Sequence, residues 1–192
     1  RALEVSGPVR IDGLPADVRL RQPLGPGAGE ARLDGTVELS QRFLDIFGIA
    51  LPDGTLNGEG RGTVAITLPK GAPPRVSLGT DLSGLGLSIP ALGWTLARGT
   101  TGRLEIEGAL GRTPRIDRIA LDAGGLSARG TLALRPGGGL ERASFSRLRL
   151  SDWLDVRADL VGRGPGRCFG RHDSYTVRQV NCSKTMMAIS SL

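Results

Sequence analysis

Apolar and polar residues alternate at period two along most of this chain, and that pattern constrains its fold more than any other feature. In a strand, successive side chains point to opposite faces, so strict alternation marks a half-buried strand. Leu3/Val5, Val9/Ile11, Val18/Leu20 and Leu33/Val37/Leu39 each have charged or polar residues between them. The pattern resumes at Val64/Ile66/Leu68, Val76/Leu78, Leu85/Leu87/Ile89, Leu104/Ile106, Leu126/Ala128, Leu132/Leu134 and Val156/Ala158/Leu160. Turn signals separate these segments: Gly7-Pro8, Asp12-Gly13, Gly25-Pro26-Gly27, Asp53-Gly54, Pro73-Pro74, Gly124-Gly125 and Pro136 through Gly139. The connections are too short for helical crossovers, so neighbours should pair antiparallel. Thirty glycines, twelve prolines and only 4% aromatics weigh against a helical bundle and give any buried face an aliphatic character. The expectation is an all-β, mainly antiparallel fold. About a dozen two-faced strands cannot lie flat, so they close into a barrel, stack as a sandwich, or form a long, strongly bent sheet with a groove.

One segment departs from the rhythm. Ser40 to Gly48 places Phe43, Leu44 and Phe47 on one helical face, with Ser40 as a candidate N-cap and Gly48 at the C′ position. The spacing predicts a single short helix there, covering one end or edge of the sheet. Near Gly162 the alternation stops. Both Cys, both Met, the single His and the single Tyr then fall between Cys168 and Met187. Residues 1–163 are accordingly read as the folded unit, and 164–192 as an atypical, flexible or appended tail. Cys168 and Cys182 could form a disulfide in an oxidising compartment, or stay as two thiols. A chain that starts at Arg1 is expected to be a piece of a larger protein. No apolar run reaches the length needed to span a bilayer, so any membrane anchor of the parent lies outside this chain.

Charge and motifs narrow the functional classes. The net charge is +6, with Lys70 and Lys184 the only lysines. Four of the 25 bases and one of the 19 acids fall after residue 166, leaving 21 and 18 interspersed through the body. Nucleic-acid binding would call for a one-signed patch with aromatics or a known motif, and neither is present. His172 lies in the tail, so the body has no histidine for a triad or metal cluster. The glycine run Gly25–Gly29 leads into no helix, and Glu105 and Glu107 alternate with Leu104 and Ile106 as a solvated face would. No enzymatic activity and no cofactor are expected. Trp94 and Trp153 are read as anchors of sheet ends.

The apolar strand face carries the remaining question. Val64, Ile66, Leu68, Val76, Leu78, Leu104, Ile106, Leu132 and Leu134 are its candidate lining residues. They can form an ordinary dry core, or an open trough for lipid acyl chains, which need methylene contact and no hydrogen bonds. Both readings are compatible with the alternation. The strand edges are expected to pair with adjoining segments of the parent.

Three stretches resemble the AsmA-like superfamily, specifically its YhdP- and TamB-related, periplasm-spanning members. The first runs from Leu39-Ser40 through Ile49-Ala50-Leu51-Pro52 to Leu56. The second is Leu85-Gly86-Leu87-Ser88-Ile89-Pro90-Ala91-Leu92-Gly93-Trp94 with Gly99, and the third Leu126-Ser127-Ala128-Arg129-Gly130-Thr131-Leu132. The resemblance spans about residues 1–163 and departs from the family in lacking its membrane helix and in its tail. It implies a bent β-groove that shields phospholipid acyl chains between inner and outer membranes. The parent would be an inner-membrane-anchored protein of a Gram-negative periplasm that supports outer-membrane integrity. Two other functions fit the same strands: a structural or adhesin-like β-rich module with a filled core, and a scaffold or chaperone for outer-membrane protein assembly.

Overall fold

The computed structural model describes residues 1–162, apart from positions 48, 50, 52–53, 112 and 136–139, together with the backbone of 167–171 and 180–181. The chain is built of antiparallel strands: β1 (Ala2–Ile11), β2 (Leu14–Pro23), β3 (Ala31–Leu39), β4 (Leu56–Gly58), β5 (Gly60–Leu68), β6 (Arg75–Thr80) and β7 (Leu85–Ile89). They continue as β8 (Trp94–Leu96), β9 (Gly102–Ala109), β10 (Arg115–Ala123), β11 (Leu126–Leu134), β12 (Leu140–Leu150) and β13 (Leu154–Gly162). One helix, α1 (Gln41–Ile46), follows β3, and a short 3-10 turn at Pro90–Leu92 joins β7 to β8. Ten strands form one sheet in the order β1-β2-β3-β5-β6-β9-β10-β11-β12-β13. It does not close into a barrel. Most of the proposed tail lies outside the described residues; within it, β14 (Arg167–Arg171) pairs with β13, and β15 (Val180–Asn181) with β14.

Register turns sequence alternation into continuous apolar rows. Val5 opposes Leu20, Leu20 opposes Leu33, and the row continues through Ile66, Val76, Gly108, Ile116, Leu132 and Ala143 to Leu160. The next row runs from Gly7 through Val18, Gly35, Val64, Leu78, Ile106, Ile119, Gly130 and Phe145 to Ala158. Neither row holds an ionisable side chain. The sheet is thus apolar on one face across all ten strands, roughly 43 Å at the usual strand spacing.

Two bulges preserve those rows where the sequence breaks its alternation. Asp117-Arg118 of β10 together oppose Thr131, and Ser146-Arg147 of β12 together oppose Arg157. Each extra residue lets apolar partners three apart, Ile116/Ile119 and Phe145/Leu148, stay on one face. The glycines in the rows have a different function. A Cβ on Gly35, Gly108 or Gly130 would collide with a backbone carbonyl of the neighbouring strand, at Asp17, Arg115 and Ser144 respectively. Such an approach is open only to a residue without Cβ.

Gly7-Pro8, expected as a turn, lies inside the single strand β1. The amide of Leu24 donates to the Arg1 carbonyl, which makes odd-numbered positions of β1 the ones bonded to β2. The nitrogen of Pro8 therefore faces the open edge, where no ladder bond is lost. The predicted turns at Asp12-Gly13 and Gly124-Gly125 are two-residue hairpins with positive φ at both positions, the geometry that matches strand twist.

The expected single sheet is corrected at one segment. Leu85/Leu87/Ile89 does not join the main sheet: β7 pairs with β4 and β8 in a separate three-stranded sheet. This small sheet, the 3-10 turn and α1 form a cap. Leu82, Leu85, Trp94 and Leu96 pack there with Leu14, Leu39, Ala123, Leu126 and Leu150 from the β2, β3, β10, β11 and β12 ends of the main sheet. Leu14 and Leu126 are 0% and 1% exposed. Trp94 is buried and its Nε1–H donates to the Gly124 carbonyl at 2.9 Å, pinning the cap to the β10–β11 hairpin. Arg42 of α1 donates to the Asp12 carbonyl at 2.6 Å and ties the helix to the β1–β2 hairpin. Trp153, also expected as an anchor, is 60% exposed and is not part of the capped core.

Ser40 corrects another expectation. It precedes α1, but its side chain makes no capping bond, and its buried Oγ has no hydrogen-bond partner among the described residues. Leaving a hydroxyl buried and unpaired costs free energy. Ser40→Ala should leave stability unchanged or raise it, measured by urea unfolding. A working cap would instead be worth about 1 kcal/mol, lost in the alanine variant.

Candidate functional site: an aliphatic face half covered by a cap

All nine residues singled out from the sequence lie on the apolar face of the main sheet, but the cap divides them. Val64, Leu78 and Leu104 pack against the capped core, along with Val18, Leu121 and Leu148. Ile66, Leu68, Val76, Ile106, Leu132 and Leu134 lie outside that cluster, toward the strand ends that no cap element covers. Five of these six are half-buried, and Leu68 is 40% exposed. The choice between dry core and open trough therefore has two answers. One flank of the face is a filled core, and the other is an uncovered wall.

Several residues of the uncovered wall were not singled out from sequence. Leu20, Leu33, Ile116, Ile119, Phe145 and Leu160 extend it across the sheet in the same rows. The signal for Ile116/Ile119 and Phe145/Leu148 was present as a pair of apolar residues spaced by three, which a bulge converts into same-face neighbours. At the sheet edge the wall continues onto β1. Leu3, Val5, Val9 and Ile11 share the apolar face and are 49%, 54%, 39% and 40% exposed.

Electrostatically the two faces are opposites. The outer face is laced with ion pairs: Arg21–Glu4, Arg32–Asp34, Arg103–Glu105, Arg115–Asp117 and Arg147–Asp155. The Arg103 hydrogen bond holds the Glu105 carboxyl below its ordinary range, and Arg147 does the same for Asp155. Both pairs are solvent-exposed and contribute little to stability. Along its two continuous rows the wall offers no donor, acceptor or charge from its side chains; Gln22, opposite Leu3, is a polar side chain at its margin. Its chemistry is limited to methylene and methyl contact, worth about 0.8 kcal/mol for each CH₂ removed from water.

The disulfide considered between Cys168 and Cys182 falls outside what is described, since of Cys168 only the backbone is described and Cys182 lies outside the described residues. No family model, curated protein or solved structure matches the chain.

Proposed function

We propose that the uncovered flank binds phospholipid acyl chains, and that the chain is a segment of an inner-membrane-anchored periplasmic bridge carrying phospholipid toward the outer membrane. The observation that carries this reading is the row from Val5 to Leu160, free of ionisable groups across ten strands and, apart from the buried Gly108 and Ala143, made of half-buried or exposed apolar side chains beside a flank that is capped. A fold needing only a core would gain by covering both flanks. The AsmA-like resemblance supports the same reading, since its first two stretches supply the cap, namely α1 with β4, and β7 with the 3-10 turn and β8. The function is binding and passage, with no chemical step and no cofactor. The exposed apolar side chains of β1 favour continuation of the wall onto an adjoining segment of the parent through this edge.

A second reading, a structural module, is favoured by the filled flank alone. Mass spectrometry of an organic extract of the purified chain separates the two. Co-purified phospholipid, depleted in an Ile66→Asp/Leu132→Asp variant that remains folded, is the expected result. Lipid-free protein that also fails to take up phospholipid from vesicles would overturn the acyl-chain reading.

A further inference from the structure

On the face opposite the wall, the two bulges shape a concavity of about 580 Å³. Arg118, Arg129, Arg142 and Arg157 line it, one from each of β10 to β13, together with the hydroxyls of Thr131 and Ser144. The bulges explain the arrangement. Asp117-Arg118 adds a side chain to the outer face opposite Thr131, and Ser146-Arg147 adds another opposite Arg157, so long polar side chains crowd around one hollow.

Convergence of four arginines on one hollow sets it apart from the rest of the outer face, where Arg19, Arg61 and Arg75 also lack a carboxylate partner among the described residues but stand on separate strands. Arg147 beside it is neutralised by Asp155, and Arg149 by Asp152. Arg118 reaches Glu105 and Glu107 only at 3.4 and 3.3 Å. Arg129, Arg142 and Arg157 have no carboxylate partner among the described residues. The one acid lining the hollow, Asp159, accepts from the Ser144 hydroxyl. A concave surface with several unneutralised guanidinium groups concentrates anions. Guanidinium forks match the paired oxygens of a phosphoryl group, and neighbouring hydroxyls supply further donors.

We propose that this hollow is a phosphoryl-binding site, independent of the acyl-chain wall on the other face. Its ligand is a phosphate mono- or diester, presented either by a lipid headgroup at a bilayer surface or as a soluble phosphate. Because the sheet separates the two faces, the phosphoryl group bound here cannot belong to a lipid whose tails lie on the wall.

The test uses the intact chain, pyrophosphate in titration calorimetry, and flotation with vesicles of phosphatidylglycerol or of phosphatidylcholine. Arg129→Gln/Arg142→Gln/Arg157→Gln should weaken binding roughly tenfold or more, the loss of one or more charge-assisted bonds. Arg19→Gln/Arg61→Gln/Arg75→Gln removes the same charge from other strands and should change it little. All six side chains are exposed, so both triple variants are expected to fold, checked by circular dichroism. Binding of pyrophosphate that also displaces the vesicles identifies a local phosphoryl site fed from either source. Vesicle binding that pyrophosphate cannot displace, but that the first triple variant alone abolishes, restricts the site to headgroups. Equal weakening by both triples, or no binding of either probe, overturns the proposal.

Discussion

Leu126→Asp is expected to leave the chain unfolded, whereas Ile66→Asp on the same apolar face should leave it folded. Leu126 opposes Ala123 and Leu150, is 1% exposed, and sits beneath the cap with Trp94 and Leu96. A carboxylate there has no partner and no water. Burying it costs several kcal/mol, against a total stability of about 5–15 kcal/mol for a typical domain. Ile66 is only half-buried and no cap residue packs over it. Its replacement loses part of one side chain's transfer free energy, about 1–2 kcal/mol, while the carboxylate keeps access to water. Leu104→Asp and Leu78→Asp belong with Leu126, since both residues pack against the capped core. Urea unfolding followed by circular dichroism measures all four. Uniform unfolding, Ile66→Asp included, would mean that the uncovered flank is sealed.

The second large effect concerns the glycines in the apolar rows. Gly35→Ala, Gly108→Ala and Gly130→Ala each add one methyl group, and in an ordinary strand alanine would be no worse than glycine. Here each new Cβ meets a neighbouring strand's carbonyl oxygen, so the strands must shift apart locally. The expected cost is about 1–3 kcal/mol for each, with combinations of these changes losing the cooperative transition. Gly79→Ala is the control. Gly79 is on the outer face of β6, where its Cβ would meet only the Thr63 Oγ1 at 3.3 Å. Thermal unfolding in which all four variants behave alike would mean that close strand approach at Gly35, Gly108 and Gly130 is not what requires glycine there.

These predictions draw on features of unequal legibility in the sequence. Strand content and antiparallel pairing followed from alternation and short connections, because parity of position fixes which face a side chain takes. For the same reason all nine candidate wall residues proved to share a face. Alternation carries no information about which sheet a strand joins, however. Leu85, Leu87 and Ile89 read as Val64, Ile66 and Leu68 do, yet only the latter lie in the main sheet. The pairings of β3 with β5 and β6 with β9 skip over the cap segments, and only tertiary packing specifies that. Consequently the division of the face into covered and uncovered flanks could not be read in advance. β10 and β12 were invisible to period-two reading because each contains a bulge, and Pro8 resembled a turn because its tolerance depends on being at an edge. Ser40 shows the converse: a capping residue type in the capping position makes no cap when its hydroxyl is turned into the packed interior.

The split face can be read directly with phospholipid carrying bromine on its acyl chains, which quenches tryptophan on contact. Replacing the exposed tryptophan, as Trp153→Phe, leaves Trp94 alone in the capped core, 5% exposed. Its emission should persist when brominated phospholipid is loaded. Ile66→Trp or Leu132→Trp in the same background adds a reporter on the uncovered flank, and that added emission should be strongly quenched by brominated lipid and not by its unbrominated counterpart. Quenching of Trp94 to the same extent, or none at positions 66 and 132, would contradict an acyl-chain wall beside a sealed core.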